Sequence, residues 1–514
     1  MSEPDWIHGL LVRSAALHPE DPLLVLPDGM ASYGEVAAKA GGFARVLASS
    51  GSPGERVAIL ADNTAAYTAA YFGAAAAGWI AVPLNPSLRA EGLGFLLRDS
   101  GASVLVVEKR YARTAAAALQ EPGLAVRAVI SDGEGLPEAA IPFREAFPES
   151  TLAAECPVSS DAPVAIVYTS GSTGRPRGAV LTHRSLLANT RSIVEYLRLT
   201  RDDRVMVVLP FHYVYGKSLL NTHAAVGGSL IVGTDLYFPN AVVKRMEKDG
   251  ATGLAGVPST FSVLIHRSRL PGAPPPRLRY VTQAGGAMAP ELTRQVLDAL
   301  PGVDLFVMYG ATEASARLTY LDPRELPERI GSIGKEIPGV QIEILREDGT
   351  EAAPGEPGEI VARGENIMLG YWNDPDETAL VLRPEGLHTG DLAYRDEDGF
   401  LYVVGRKKEM IKCGAHRVSP MEIEEALLAH PLVMEAAVIG VPDPILGEAI
   451  HAFAVPKPET AAPTAEQLLQ HCASLLPEYK VPSRVELRSD LPKNAAGKIQ
   501  KRALRDELDP SAGT

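Results

Sequence analysis

Through most of its length the chain alternates short apolar runs with longer Ala- and Leu-rich segments of helical pattern. That alternation restricts the possible folds more than any other feature. RVAIL (56–60), SVLVV (103–107), VAIVYTS (164–170), RVMVVLP (204–210) and DLFVMYG (304–310) have strand length. The gaps between them are long enough for a helix that crosses back over a sheet, so parallel βαβ units in an α/β domain are expected. Beyond about Pro327 the texture changes to short strands with Gly and Asp turns, as in QIEILREDGT, GEIVARGE and LAYRDEDGFLYVVGR. A small antiparallel, barrel-like piece closing the large domain is expected there. A basic knot, GRKKE (405–409), then leads into a tail with a helix at 420–430, strands AAVIGVP and HAFAVP, and a helix near 466–476. The expected division is a large multi-subdomain N-terminal domain, 1–407, and a smaller α+β C-terminal domain, 408–514.

Bulk properties narrow the function classes. A length of 514 residues exceeds what one hydrophobic core usually serves. The formal net charge of −14 gives no footprint for DNA, RNA or an anionic membrane. Cys156, Cys413 and Cys472 stand apart, with no CxxC pair and no ligand-like His spacing, which points to a reducing, cytoplasmic setting without structural zinc. The opening MSEPDWIHGLLVRSAALHPEDP carries acids early and lacks the apolar core of a signal peptide. Residues 64–82 contain no charge and approach the length of a membrane span. Ala, Gly and Thr dominate that stretch and contribute little transfer energy. A small-residue helix packed on a sheet, followed by the strand WIAVPL, accounts for it better.

The strongest local signal is YTSGSTGRPRG at 168–178, directly after a strand. Glycines let successive N–H groups turn toward one point, and Ser/Thr hydroxyls add donors suited to phosphate oxygens. It is not a Walker A loop, since no GxxxxGK[ST] occurs. Alone, such a run reads equally as a surface turn. Downstream, however, stand YGATE (309–313), TGD (389–391), Gly405-Arg406 and PKNAAGK (492–498). With PLNP (83–86), AGGAMAP (284–290), GSIGKEIPG (331–339) and KCGAHRVSPMEIEE (412–425), these segments resemble the adenylate-forming superfamily of acyl-CoA synthetases, luciferases and nonribosomal-peptide adenylation domains. The resemblance runs from about Ser32 to Arg505 and is nearest to the acyl-CoA synthetase type.

That resemblance implies an ATP-dependent, AMP-forming ligase. Such an enzyme activates a carboxylic acid as an acyl-adenylate, then passes the acyl group to the pantetheine thiol of CoA or a carrier protein. Thr169, Ser170, Gly171, Ser172, Thr173, Gly174 and Arg177 would hold the β- and γ-phosphates of ATP. Thr312 would bond the α-phosphate, and Glu313 would ligate Mg²⁺, a hard ion that prefers carboxylate oxygen. Asp391 would accept both ribose hydroxyls beside Arg406. Gly285, Gly286 and Ala287 would line the adenine and acyl pocket, with Tyr309 and Gly310 nearby. Lys498 would bridge the substrate carboxylate and the α-phosphate, where charge builds as pyrophosphate leaves. In the family the C-terminal domain is mobile, and Lys408 aligns with its hinge.

Two residues depart from the family pattern. Arg177 stands where the loop usually has Lys, keeping the charge in a wider fork. Ala415 stands where Gly is usual, in a loop that approaches the thiol arm, so the thiol step is less secure. The segment FHYVYGK (211–217) bears on the acid. Amino-acid-activating relatives carry an aspartate there to pair the substrate ammonium, and here no acid occurs between Phe211 and Ser229. An acid without an α-amine is therefore expected, since a buried unpaired ammonium is costly. Asp235 is left as a conceivable substitute. His212 matches a residue found beside the substrate carboxylate, and Tyr213, Tyr215, Val257 and Met308, with Gly286 and Gly310, suit an aromatic or medium apolar acyl group. Lys217 reads as a solvated helix-start lysine, leaving open a second anionic group on the substrate. Two alternatives stay in view: an amino-acid-activating enzyme loading a peptidyl carrier protein, and a luciferase-like monooxygenase.

Overall fold

A computed structural model describes residues 4–137, 139–169, 176–414, 416–458, 462–494 and 497–508. The apolar runs are strands, and among the described residues they assemble into four sheets. The first sheet has nine strands and centres on Arg204–Val207, Gly253–Gly256, Tyr280–Gln283 and Asp304–Tyr309, paired in parallel. The second has seven and centres on Arg56–Leu60, Ile80–Pro83 and Val104–Val107, also parallel. Helices cover these strands, which is why they read as nearly continuous apolar runs.

The uncharged stretch is a helix, Ala65–Ala76, followed by the strand Ile80–Pro83. Thr64 starts the helix by accepting a bond from the Tyr67 N–H. Residues 67–76 are buried against the helix Tyr33–Ser50. Small side chains permit that closeness: a Cβ on Gly73 would stand 2.6 Å from the Ala40 carbonyl oxygen. Among the described residues no helix is long and apolar enough to cross a membrane.

The third sheet is the expected antiparallel piece, built from Val340–Leu345, Gly358–Gly364, Leu382–Arg383, Gly386–Arg395 and Leu401–Arg406. The fourth belongs to the tail. Its long hairpin, Val433–Asp443 with Gly447–Pro456, is flanked by Ile411–Cys413, His416–Val418 and Arg484–Leu487. The helices Pro420–Leu428 and Ala465–Leu475 pack on the apolar cluster of this sheet. The α/β architecture with a separate small α+β unit thus matches the reading of the sequence. Cys156, Cys413 and Cys472 are free thiols.

The tail returns to the large unit at a few defined points. Ser262 Oγ donates to the Met434 carbonyl oxygen at 3.3 Å, and Arg417 pairs with Glu347 at 3.1 Å. Ser259 Oγ donates to the Gly497 carbonyl oxygen at 2.8 Å, which brings the loop before Lys498 against the first sheet.

Candidate active site

Asp391 and Arg406 face each other across the antiparallel pair Gly386–Arg395 and Leu401–Arg406. Directly opposed residues share one face of a sheet, so their side chains meet. Arg406 Nε donates to Asp391 Oδ1 at 2.7 Å, and Tyr309 Oη donates to Oδ2 at 2.7 Å. The Asp391 charge holds the Arg406 guanidinium above its ordinary range. A carboxylate offers about four acceptor sites, so this fixed group retains capacity for a pair of hydroxyls.

Glu313 lies in the short 3₁₀ turn Thr312–Ala314, just past the strand Asp304–Tyr309. Its Oε1 accepts a 2.7 Å bond from Tyr371 Oη, and its own carbonyl oxygen accepts from the Met368 N–H at 2.8 Å. Burial, with Glu313 beside it, raises the Tyr371 phenol, so the hydroxyl remains a donor. Arg177 pairs with Glu377 at 2.7 Å and lies 5.7 Å from the Tyr371 ring centre. Thr169 Oγ1 donates to the Arg177 carbonyl oxygen at 3.5 Å. Ser170, Gly171, Ser172, Thr173 and Gly174 lie outside the described residues, as does Ala415. A single oriented carboxylate fits Mg²⁺, which usually takes one or two carboxylates together with substrate phosphates.

The acyl end gathers at Gly285, which adopts φ +84°, a left-handed torsion that favours glycine. A Cβ there would lie 3.1 Å from Val257 Cγ1 and 3.4 Å from Tyr213 Oη. Gly286 is fixed by a 2.8 Å bond from Gln283 Nε2 to its carbonyl oxygen; Ala287 follows it on the same turn. Gly310 allows the chain to fold tightly, for a Cβ would come within 2.1 Å of the Ala316 carbonyl oxygen. Tyr215, Val257 and Met308 are buried. Tyr215 Oη bonds the Thr282 carbonyl oxygen at 2.9 Å, and Met308 Sδ accepts from Tyr196 Oη at 3.0 Å. His212 is half-buried; burial, then the Lys217 charge, lower its pKa to about 3. It is therefore neutral at physiological pH, a form with one ring N–H to donate.

Lys498 follows Gly497, whose missing Cβ would stand 3.0 Å from both Val257 Cγ2 and Ser259 Oγ. The Lys498 N–H donates to Asn494 Oδ1 and its carbonyl oxygen accepts from the Asn494 N–H, both at 2.9 Å. This tight loop brings Lys498 to the place where Val257 meets Gly285. The side chain keeps contact with solvent, yet its dense surroundings and Arg406 lower its pKa against the opposing pull of Glu409 and Asp391.

Lys217 is not the solvated residue its position at a helix start implied. It is 1% exposed, with Nζ donating to Tyr67 Oη at 2.9 Å and lying 4.2 Å from the Tyr71 ring centre. Those aromatic partners come from the helix Ala65–Ala76, so burial of Lys217 has no local sequence signal. Asp235 is exposed, accepting from the Tyr237 N–H, and does not replace the missing acid. Tyr371, Ser259 and Arg317 also join the site without having been singled out. The adjacency of Tyr371 to Gly370 was the only available hint.

Comparison with known proteins gives the same picture. The model of the family described as "AMP-binding enzyme" matches residues 11–372, and that of "AMP-binding enzyme C-terminal domain" matches residues 422–498. A feruloyl-CoA synthase of Amycolatopsis is 34% identical over 495 residues, covering 96% of this chain and 97% of the relative. A sulfoacetate–CoA ligase of Cupriavidus necator is 33% identical over 508 residues, with 97% of each covered. The structure of the anthranilate CoA ligase AuaEII in complex with anthranoyl-AMP superposes with a TM-score of 0.91 at 26% identity, covering 99% of this chain and 98% of that one.

Proposed function

Since this chain belongs to the AMP-binding enzyme family, as an ATP-dependent, AMP-forming CoA ligase, we propose that it activates a small carboxylic acid without an α-amine, using the residues assembled above. The observation that carries this reading is the docking of the Gly497–Lys498 turn on Ser259 and Val257, beside Gly285 and within the electrostatic reach of Asp391 and Arg406. One cation thus stands between the acyl end and the nucleotide end.

In the first step a carboxylate oxygen attacks the α-phosphorus, the P–O bond to pyrophosphate breaks, and acyl-AMP forms. No base is needed, because the acid is already ionised. Lys498 spans the two anions, Thr312 bonds the α-phosphate, and neutral His212 orients the carboxylate. Asp391, held by Arg406 and Tyr309, receives the ribose; Gly285, Gly286 and Ala287 line the base. Thr169 and Arg177 border the phosphate loop. Mg²⁺, held by Glu313 and phosphate oxygens, would offset the charge on the departing pyrophosphate. In the second step the thiol sulfur attacks the acyl carbon and AMP leaves. The relatives' names set CoA ahead of a carrier protein as the acceptor.

Exclusion of amino acids follows from charge. The segment from Phe211 to the helix Val214–Val226 presents His212 and Lys217 and no carboxylate. An ammonium entering there would meet a like charge and no counter-ion. The test is pyrophosphate release over a panel of carboxylic acids and the proteinogenic amino acids, with and without CoA. Turnover with acids and CoA-dependent AMP release are expected; saturable exchange confined to α-amino acids would overturn the reading.

A further inference from the structure

Resting on that reading, we infer that the acid carries a second anionic group, a carboxylate or sulfonate, received in the acyl pocket by Lys217 with Ser315 and Asn221. Buried charge is the first ground. Among the described residues Asp203, Glu435, Lys217 and Arg317 are buried charged side chains. Asp203 pairs with Arg279 at 2.7 Å and Glu435 with Lys493 at 2.8 Å. Neither cation has a carboxylate partner within salt-bridge reach among the described residues. Lys217 has only the Tyr67 hydroxyl and the Tyr71 face. Arg317 lies 4.0 Å over the Tyr215 ring, with Nε donating to Met308 Sδ at 3.3 Å and Nη1 to the Ala316 carbonyl oxygen at 2.9 Å. Burying a cation without a counter-ion costs several kcal/mol, so Lys217 calls for an anion that arrives with the substrate.

The cleft around Lys217 is the second ground. It is closed to a guest even of water size as it stands, and it is lined by Asn189, Val214, Lys217, Ser218, Asn221 and Ser315 among others. Ser315 Oγ, Asn189 Oδ1 and Asn221 Oδ1 are buried there without a hydrogen-bond partner among the described residues. Buried polar atoms are nearly always bonded, and three orphans around one ammonium mark a place made for a polar guest. A hydroxyl and a rotated amide can both donate to an anion. A guest must displace the Lys217–Tyr67 bond or widen the cleft, which favours a compact group.

Backbone strain is the third. Ser315 and Ala316 hold φ +55° and +120°, the latter rare for a residue with a side chain. Such torsions persist where surrounding structure over-determines them, and here they fix the residues on either side of the turn, Ser315 and Arg317. Position then sets length. His212 stands two residues before the helix Val214–Val226, and Lys217 lies in its first turn. The two anionic ends are therefore separated by a short spacer.

Pyrophosphate release with matched pairs tests this: butyrate against succinate and 3-sulfopropionate, benzoate against its carboxylated analogue. Dianionic acids should be preferred by about a hundredfold in kcat/KM, the scale of a buried charge contact. Lys217→Met should collapse that preference, and Ser315→Ala, a milder change, should reduce it several-fold. Lys217→Met should also raise the thermal midpoint of the free protein, whereas a merely structural lysine would lower it when lost. A wild-type preference for the monoanionic member of each pair, or equal losses on both members, would overturn the inference and leave the ligase standing. Silence with every acid would instead remove the ligase reading beneath it.

Discussion

On the proposed reading Lys498 neutralises two anions at once, while its dense surroundings and the Arg406 charge push its own proton off. Glu409 and Asp391 favour its charged form, and on the proposed reading the incoming carboxylate and α-phosphate add to that pull in the adenylation step. Lys498→Ala should slow pyrophosphate release about a hundredfold or more, the scale of a lost preorganised charge contact. Thioester formation from supplied acyl-AMP should be largely retained, which single-turnover assays of each half-reaction would check. Lys217 offers a separate titration. Burial lowers its pKa to about 7, and the groups facing it are the Tyr67 and Tyr71 phenols, neutral His212 and the uncharged Asn189, Thr190 and Ser315. None supplies a negative charge at neutral pH. An anionic guest binds the protonated form, present below about pH 7 and lost above it. The KM for a dianionic acid should therefore rise with pH beyond that point, while that for its monoanionic counterpart stays flat; a parallel rise in both would exclude the titration. The stability linkage has the opposite sign. The unfolded chain keeps this proton up to the ordinary lysine range, so native stability from this group grows as pH climbs from about 7 toward that range.

Small residues in the helices Tyr33–Ser50 and Ala65–Ala76 are packing devices with little tolerance. A Cβ on Gly42 would lie 1.5 Å from the Pro148 carbonyl oxygen. Gly42→Ala should destabilise by about 1–3 kcal/mol, since overpacking moves backbone as well as side chains. A lowered midpoint in a fixed-rate thermal scan, with KM unchanged in the surviving fraction, would check it. The same elements show what a sequence discloses. RVAIL became the strand Arg56–Leu60, because a strand buried on both faces is apolar at every step. RVMVVLP was shortened to Arg204–Val207, since Asn63, far away in sequence, takes over the backbone bonding: its side chain donates to the Leu209 carbonyl oxygen and accepts from the Phe211 N–H. The helix read as 420–430 ends at Leu428, close to Pro431, whose predecessor is biased away from helical torsions. Asp391 and Arg406 could be read from short motifs because each sits in one. Their pairing across strands, the Glu313–Tyr371 bond and the burial of Lys217 depend on segments brought together only by the fold.

At the scale of the whole molecule, the tail rests on Ser259 just before Lys498, the arrangement that the proposed adenylation step uses. The thiol of the second step must approach the same carbonyl carbon, so one arrangement cannot serve both. Residues 1–407 and 408–514 are proposed as the bodies that move, with Lys408 between them. The local geometry fits a pivot. The Lys407 N–H donates to the Gly390 carbonyl oxygen at 2.9 Å, and the Glu409 and Met410 N–H groups both donate to the Arg406 carbonyl oxygen, at 2.8 and 3.2 Å. Lys408 thus lies inside a turn anchored at both ends, where a change of a few torsions would swing everything that follows. Proline at this position fixes φ near −65° and removes its N–H. It also presses Lys407 away from helical torsions, so some loss in either arrangement is expected. The informative quantity is the ratio of half-reactions within one variant. Lys408→Pro should slow thioester formation from acyl-AMP at least tenfold more than it slows adenylation, because on this proposal only the former requires the rotation. Lys408→Ala, which leaves φ unrestricted, should keep the wild-type ratio. If proline and alanine gave the same ratio, the turn would be an ordinary charged linker, and the pivot would have to lie elsewhere between the third sheet and the fourth.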